Sequence, residues 1–201
     1  MIAIIDYGVG NLRSVAKAFE RVGASVAVTE KASVIEKSSH VVLPGVGAMK
    51  PAMDKLNELK LIPVINQVIK DKKSFLGICV GFQLLFERSE EGGDVPGLGI
   101  LKGSVNRFTI GKVPQIGWNQ LQLQLKACPL FNGVNDNAFV YFCHSYYVSG
   151  NDSRFTAATT SYGCSYTSAA WSDNVFGVQF HPEKSQSVGL KILENFSKVS
   201  V

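Results

Sequence analysis

Four apolar runs in the first eighty residues constrain the fold of this chain more than any other feature. Ile2 to Ile5, Val26 to Val28, Val41 to Leu43 and Phe75 to Ile78 are continuous rather than alternating, the pattern of strands buried on both faces. Between them lie amphipathic segments. Asn11 to Val22 places Leu12, Val15, Ala16, Phe19 and Val22 at helical spacing, with Gly23 as the stop. Two further helices are predicted over Ala48 to Leu59 and Ile62 to Lys70. This βαβ grammar calls for a parallel sheet covered on both faces, whose ligands bind beyond the carboxyl ends of its strands.

The pattern changes after Glu87. EEGGDVPGLGI reads as a turn-rich loop, and from Ile100 to Phe180 short strands replace helices, among them Gly103 to Phe108, Asn119 to Leu125, Phe139 to Cys143 and Phe176 to Phe180. A last amphipathic helix is predicted near Val188 to Phe196. No repeat or linker interrupts the chain, so residues 1–201 are expected to form a single α/β domain with an antiparallel extension. The 201 residues suffice for one sizeable core.

Charge and cysteine usage narrow the function classes. Lys and Arg total 20 against 16 Asp and Glu, a net charge of +4 with the charges scattered. Nothing in that pattern asks for nucleic acid. The opening MIAIIDYGVGN has no basic leader, and the longest uncharged stretch, Phe155 to Ser172, is too rich in hydroxyls to lie in hydrocarbon, so no membrane association is expected. The four cysteines form no CxxC pair, which suits a reducing, cytoplasmic setting. No metal site is expected: Cys143 and His144 are neighbours on a strand and point to opposite faces. The partial G-x-G at Gly8 to Gly10 has Arg13 where a dinucleotide fingerprint needs its third glycine. His40 reads as a surface residue leading into a strand, and Cys128 and Cys164 as packing residues.

The sharpest chemical signal is Gly77-Ile78-Cys79-Val80-Gly81, between an apolar strand and the helix-like Phe82 to Glu87. Flanking glycines allow a tight strand-to-helix elbow, and helix-end amides at its tip favour a thiolate. A cysteine packed between two glycines is the competing interpretation, and a redox-sensing thiol is another. His181 separates them. It follows the strand Phe176 to Phe180, and Glu183, two residues on, faces the same way in extended chain and can orient the imidazole. Cys79, His181 and Glu183 therefore form a candidate catalytic triad. The Leu43 to Gly47 turn ends another strand, so its amides and that of Val80 are candidate oxyanion donors.

Together with Asp6 to Leu12, Pro44 to Gly47, Gly77 to Phe86, Pro114 to Asn119, His144 to Tyr146 and His181 to Ser185, these residues resemble the class I, triad-type glutamine amidotransferases over nearly the whole chain. The Gly117-Trp118-Asn119 and His181 to Ser185 segments resemble the branch that supplies ammonia to a separate synthase in histidine biosynthesis; branches serving pyridoxal phosphate or purine synthesis share the triad. The resemblance implies a three-layer, doubly wound, flavodoxin-like sheet. It makes Cys79 the nucleophile, His181 the acid and base and Glu183 its orienter. Backbone amides of Val46 and Val80 form the oxyanion hole, the former after a peptide reorientation, and Gly47, Gln83, Ser145 and Tyr146 hold L-glutamine. Asn11, Gln115, Trp118, Asn119 and Lys184 are implied to face a (β/α)8-barrel synthase subunit in a heterodimer, and no cofactor is implied. Phe82 departs from the methionine more usual in that family.

Overall fold

The computed structural model describes residues 1–149 and 152–199. The first half runs β1 (Ile2–Ile5), α1 (Leu12–Arg21), β2 (Val26–Thr29), α2 (Ala32–Lys37), β3 (His40–Gly45), α3 (Met49–Glu58), α4 (Leu61–Lys70), β4 (Ser74–Cys79) and α5 (Val80–Gln83). The second half is strand-rich: β5 (Arg88–Ser89), β6 (Val95–Pro96), β7 (Ser104–Arg107), β8 (Gln115–Gln120), β9 (Gln122–Leu123), β10 (Phe139–His144), β11 (Tyr146–Val148), β12 (Thr156–Tyr162), β13 (Cys164–Ser172) and β14 (Val175–Val178). Helix α6 (Gln186–Lys198) ends it.

Strands β2-β1-β3-β4-β14 are parallel throughout and form one side of the sheet, with β2 at its edge. The apolar runs of β1, β3 and β4 are there because both faces are covered: all four residues of β1 are buried, and each fully buried isoleucine is worth about 1.5–3 kcal/mol. The run Val26 to Val28 is not buried as expected, because β2 is the edge strand and leaves Val28 44% exposed. Helix α1 turns Val15, Ala18 and Phe19 inward and packs beside α6, while α2 and α3 both pack against α4. The sheet continues through β13, β11, β7, β5 and β6, mostly antiparallel. This is the expected parallel sheet with its antiparallel extension. Strands β8 and β10 form a separate two-stranded ribbon.

The predicted strand Asn119 to Leu125 is divided. Strand β8 pairs with β10, β9 pairs with β12, and the buried Leu121 between them donates its N–H to Ala138 O as the chain changes partners. The predicted helix Phe82 to Glu87 is also displaced, to Val80–Gln83. Beyond Gln83 the carbonyls of Leu84, Leu85 and Phe86 accept from the amides of Leu98, Gly99, Ile100 and Leu101, so the turn-rich loop satisfies groups that a longer helix would have paired within itself. His40 is half-buried rather than a surface residue: its Nε2 lies 2.9 Å from Val199 O and its ring edge packs on Phe196 of α6. No helix among the described residues is long and apolar enough to cross a membrane.

Candidate active site

Strand β4 delivers Cys79 to the top of the sheet in a conformation that L-residues rarely adopt, with φ 55° and ψ −110°. Such backbone costs about 1–3 kcal/mol and persists only where its surroundings impose it. Here glycines impose it. A Cβ on Gly81 would sit 1.8 Å from Leu43 O of β3, one on Gly77 would sit 2.6 Å from Gly81 O, and one on Gly177 of β14 would sit 2.1 Å from the Phe82 ring. Gly77 and Gly177 are register partners, so α5 lies directly on a glycine floor spread over adjacent strands. Tyr7 closes the elbow's other side, its hydroxyl donating to Pro44 O at 2.7 Å.

His181 follows the end of β14 and donates its backbone N–H to Tyr141 O of β10 at 2.9 Å. Pro182–Lys184 form a 3-10 turn, so curvature rather than the expected extended spacing brings Glu183 Oε1 to 2.9 Å from His181 Nδ1. Both side chains are almost completely buried. Burial opposes charging of the imidazole, but hydrogen bonds to Cys79 and Glu183, with their negative charges, prevail and raise it to about 10. Glu183 Oε2 is buried with no hydrogen-bond partner among the described residues, which concentrates the carboxylate's compensation on His181. By contrast, burial pushes the Cys128 thiol up to about 12, the behaviour of an inert packing cysteine.

Cys79 and His181 open into a cavity of about 400 Å³ that Val46, Gly47, Val80, Gln83, Ser145 and Tyr146 also line. All the residues implied to hold glutamine or its oxyanion therefore meet at one place. Gln83 is buried, and its Nε2 donates to Tyr146 O at 2.9 Å and Gln179 Oε1 at 3.0 Å. His144 is also buried: its Nδ1 donates to Tyr146 O at 2.7 Å, and burial lowers the ring to about 4, so it stays neutral. Two members of the site carry no sequence signal. Glu91, from the loop after β5, lines the cavity and accepts the Met49 N–H at 2.7 Å; burial raises its pKa. Gln179 places its Nε2 3.8 Å from Cys79 Sγ. A second recess of about 470 Å³ around Arg88, Glu90 and Asp94 holds neither a thiol nor an imidazole.

The residues implied to meet a partner divide. Trp118 and Lys184 are exposed and flank Tyr141, with the Lys184 ammonium 5.7 Å from the Tyr141 ring centre. Asn119 is half-buried and donates to Ser161 O, and Asn11 sits half-buried at the N-terminus of α1. Gln115 is the exception. It is only 3% exposed, and its Oε1 accepts from the Tyr166 hydroxyl at 3.0 Å, because alternation along β8 turns it to the interior face. Its neighbour Ile116, at 62% exposure, takes the outward position.

The fold has counterparts among solved structures. A structure described as a glutamine amidotransferase superposes with a TM-score of 0.77, at 16% identity over 99% of this chain and 100% of that one, and PurLQS from Thermotoga maritima gives 0.75 at 19% identity, covering 97% and 96%. The family model for class-I glutamine amidotransferases matches residues 3–199, and the chain belongs to that family. Its relatives are more specific. It is 49% identical to the imidazole glycerol phosphate synthase subunit HisH of Syntrophotalea carbinolica over 204 residues, covering 98% of each chain. The HisH subunit of Thermosynechococcus vestitus is 50% identical over 199 residues, covering 97% of this chain and 95% of its own.

Proposed function

We propose that the chain hydrolyses L-glutamine as the glutaminase subunit of an imidazole glycerol phosphate synthase. The observation that carries the catalytic assignment is the buried His181–Glu183 pair behind Cys79 at the wall of one cavity. A redox-sensing thiol needs neither partner. With its imidazole raised to about 10, His181 holds a proton at neutral pH and faces the sulfur as a cation. Cys79 Sγ attacks the side-chain amide carbon of glutamine, and the amides of Val46 and Val80 receive the oxyanion, each worth about 3 kcal/mol in the transition state. His181 gives its proton to the departing ammonia, leaving a glutamyl thioester. His181 then takes a proton from the attacking water and glutamate is released.

Glu91 supplies the charge that an amino-acid substrate requires, its carboxylate facing the α-ammonium, while Gln83, Gly47, Ser145 and Tyr146 hold the rest of the glutamine backbone. The chemistry needs no metal or organic cofactor. Ammonia passes to a (β/α)8-barrel synthase subunit that makes imidazole glycerol phosphate and aminoimidazole carboxamide ribonucleotide. Trp118, Asn119, Lys184 and Asn11 belong to the docking face, supported by the exposed apolar Ile116 and Phe139 on the same ribbon. The decisive assay measures glutamine hydrolysis by the wild type and Cys79→Ala, with and without the barrel subunit and its nucleotide substrate. Activity confined to the wild-type complex is expected. Undiminished hydrolysis by Cys79→Ala overturns the nucleophile, and full activity of the isolated chain overturns the coupling.

A further inference from the structure

The expected helix behind Cys79 is a single turn, Val80–Gln83, and a macrodipole grows only with aligned peptides. Other donors must therefore share with protonated His181 the sulfur's charge as it attacks and as it leaves. Gln179 is fully buried between β14 and His181, and its backbone N–H donates to Ser168 O at 2.9 Å. Its side-chain amide has one orientation, set by a chain of obligatory acceptors. The Tyr146 carbonyl can only accept, so Gln83 presents its NH₂ there. That same NH₂ reaches Gln179 at 3.0 Å, which makes the facing atom the Gln179 oxygen. The Gln179 NH₂ is thereby turned to Cys79 Sγ at 3.8 Å.

We propose that Gln179 is a catalytic hydrogen-bond donor to the Cys79 sulfur, stabilising it as a thiolate both as it attacks and as it leaves the thioester. This rests on Cys79 being the nucleophile. His181 must also deliver a proton to ammonia and take one from water, whereas an amide N–H only donates, so Gln179 holds the sulfur without taking part in the proton transfers. The other titratable groups around the sulfur are Tyr7 after β1, Cys143 and His144 on β10, Tyr146 on β11, and His181 and Glu183 after β14, with Glu91 and Lys184 farther along the cavity wall.

The test follows alkylation of Cys79 by iodoacetamide from pH 4 to 10 in the full chain, read at that residue by peptide mass spectrometry, with melting temperatures and partner-activated hydrolysis recorded alongside. Gln179→Leu removes the amide. Gln179→Met keeps the length of the side chain and removes the donor without adding a charge. Both variants should move the inflection of the alkylation profile upward by about one pH unit, a tenfold loss of thiolate at fixed pH, and lower kcat more than they raise KM. A packing role alone would lower the melting temperature and leave the inflection in place; an unshifted profile in Gln179→Met overturns the proposal, and that variant decides if Gln179→Leu does not fold. Wild-type hydrolysis that survives complete Cys79 alkylation would instead overturn the nucleophile itself.

Discussion

Gly81→Ala isolates what the elbow requires of its backbone. The added methyl would lie 1.8 Å from Leu43 O, against the 3.4 Å of an ordinary close contact, so one element must withdraw by about 1.6 Å. Strand β3 cannot, because it is paired with β1 on one side and β4 on the other. The displacement therefore falls on α5 and the adjoining Cys79. Overpacking of this kind costs about 1–3 kcal/mol, more than the roughly 1 kcal/mol that alanine gains over glycine in a helix, and α5 is too short to realise that gain in full. For a chain of this length the melting temperature should fall by about 2–4 °C for each kcal/mol. Displacing a nucleophile by about 1 Å costs on the order of 100-fold in rate. The assay is partner-activated glutamine hydrolysis beside thermal unfolding, with Gly23→Ala as the control. Gly23 has φ +83° but nothing within 4 Å of its would-be Cβ, so that variant loses about 1–2 kcal/mol to left-handed strain and keeps its activity. A fully active Gly81→Ala protein with an unchanged melting temperature would refute the steric reasoning.

The raised His181 makes a stability claim with a definite sign. Its contribution is fully present below the ordinary value of 6.5 and is lost as pH rises through about 10; urea midpoints should decline across that window, and Glu183→Gln should flatten the decline. Parallel curves for the two proteins would count against the pair. Glu91→Gln should raise KM for glutamine about tenfold with little change in kcat, since it removes one charged hydrogen bond of about 1.5–3 kcal/mol made equally in the ground and transition states; an equal fall in kcat would place Glu91 in the chemistry instead.

Elements whose burial is simple were legible in the sequence. Strands β1, β3 and β4 are apolar on both faces, and α1 buries Val15 and Phe19 of the helical spacing, together with Ala18, which the spacing does not single out. Helix α2 left no pattern because six residues with a single buried side chain, Ile35, span less than two turns. The β12–β13 hairpin was hidden differently. Its interior holds Thr156, Thr160, Thr167 and Ser168, buried and hydrogen-bonded to one another, so polar residues occupy positions where a periodicity argument looks for apolar ones. The same distinction runs through the site. Cys79, His181 and Glu183 announce themselves by local spacing, whereas Glu91 reaches the cavity through a bond to the amide of Met49, forty-two residues away. Gln179 is oriented by Gln83, ninety-six residues away, and no local pattern encodes either arrangement.

Gln115 shows why a motif can be right about a segment and wrong about a side chain. The β8–β10 ribbon pairs Gln115 with His144 and Trp118 with Tyr141, and the strand's two-residue period sends these pairs to opposite faces. The inner face continues into the buried network beside the cavity; the outer face exposes Ile116, Trp118 and Phe139. Tyr141 joins the two. Its carbonyl accepts the His181 backbone N–H at 2.9 Å, its own N–H donates to Ser185 Oγ at 2.9 Å, and its ring lies between Trp118 and Lys184. On the proposed reading, a partner that presses on Trp118 or draws Lys184 toward itself acts on the strand that anchors the catalytic imidazole. On that reading the coupling needs no long pathway, because the proposed docking face and the wall of the cavity are two sides of one ribbon.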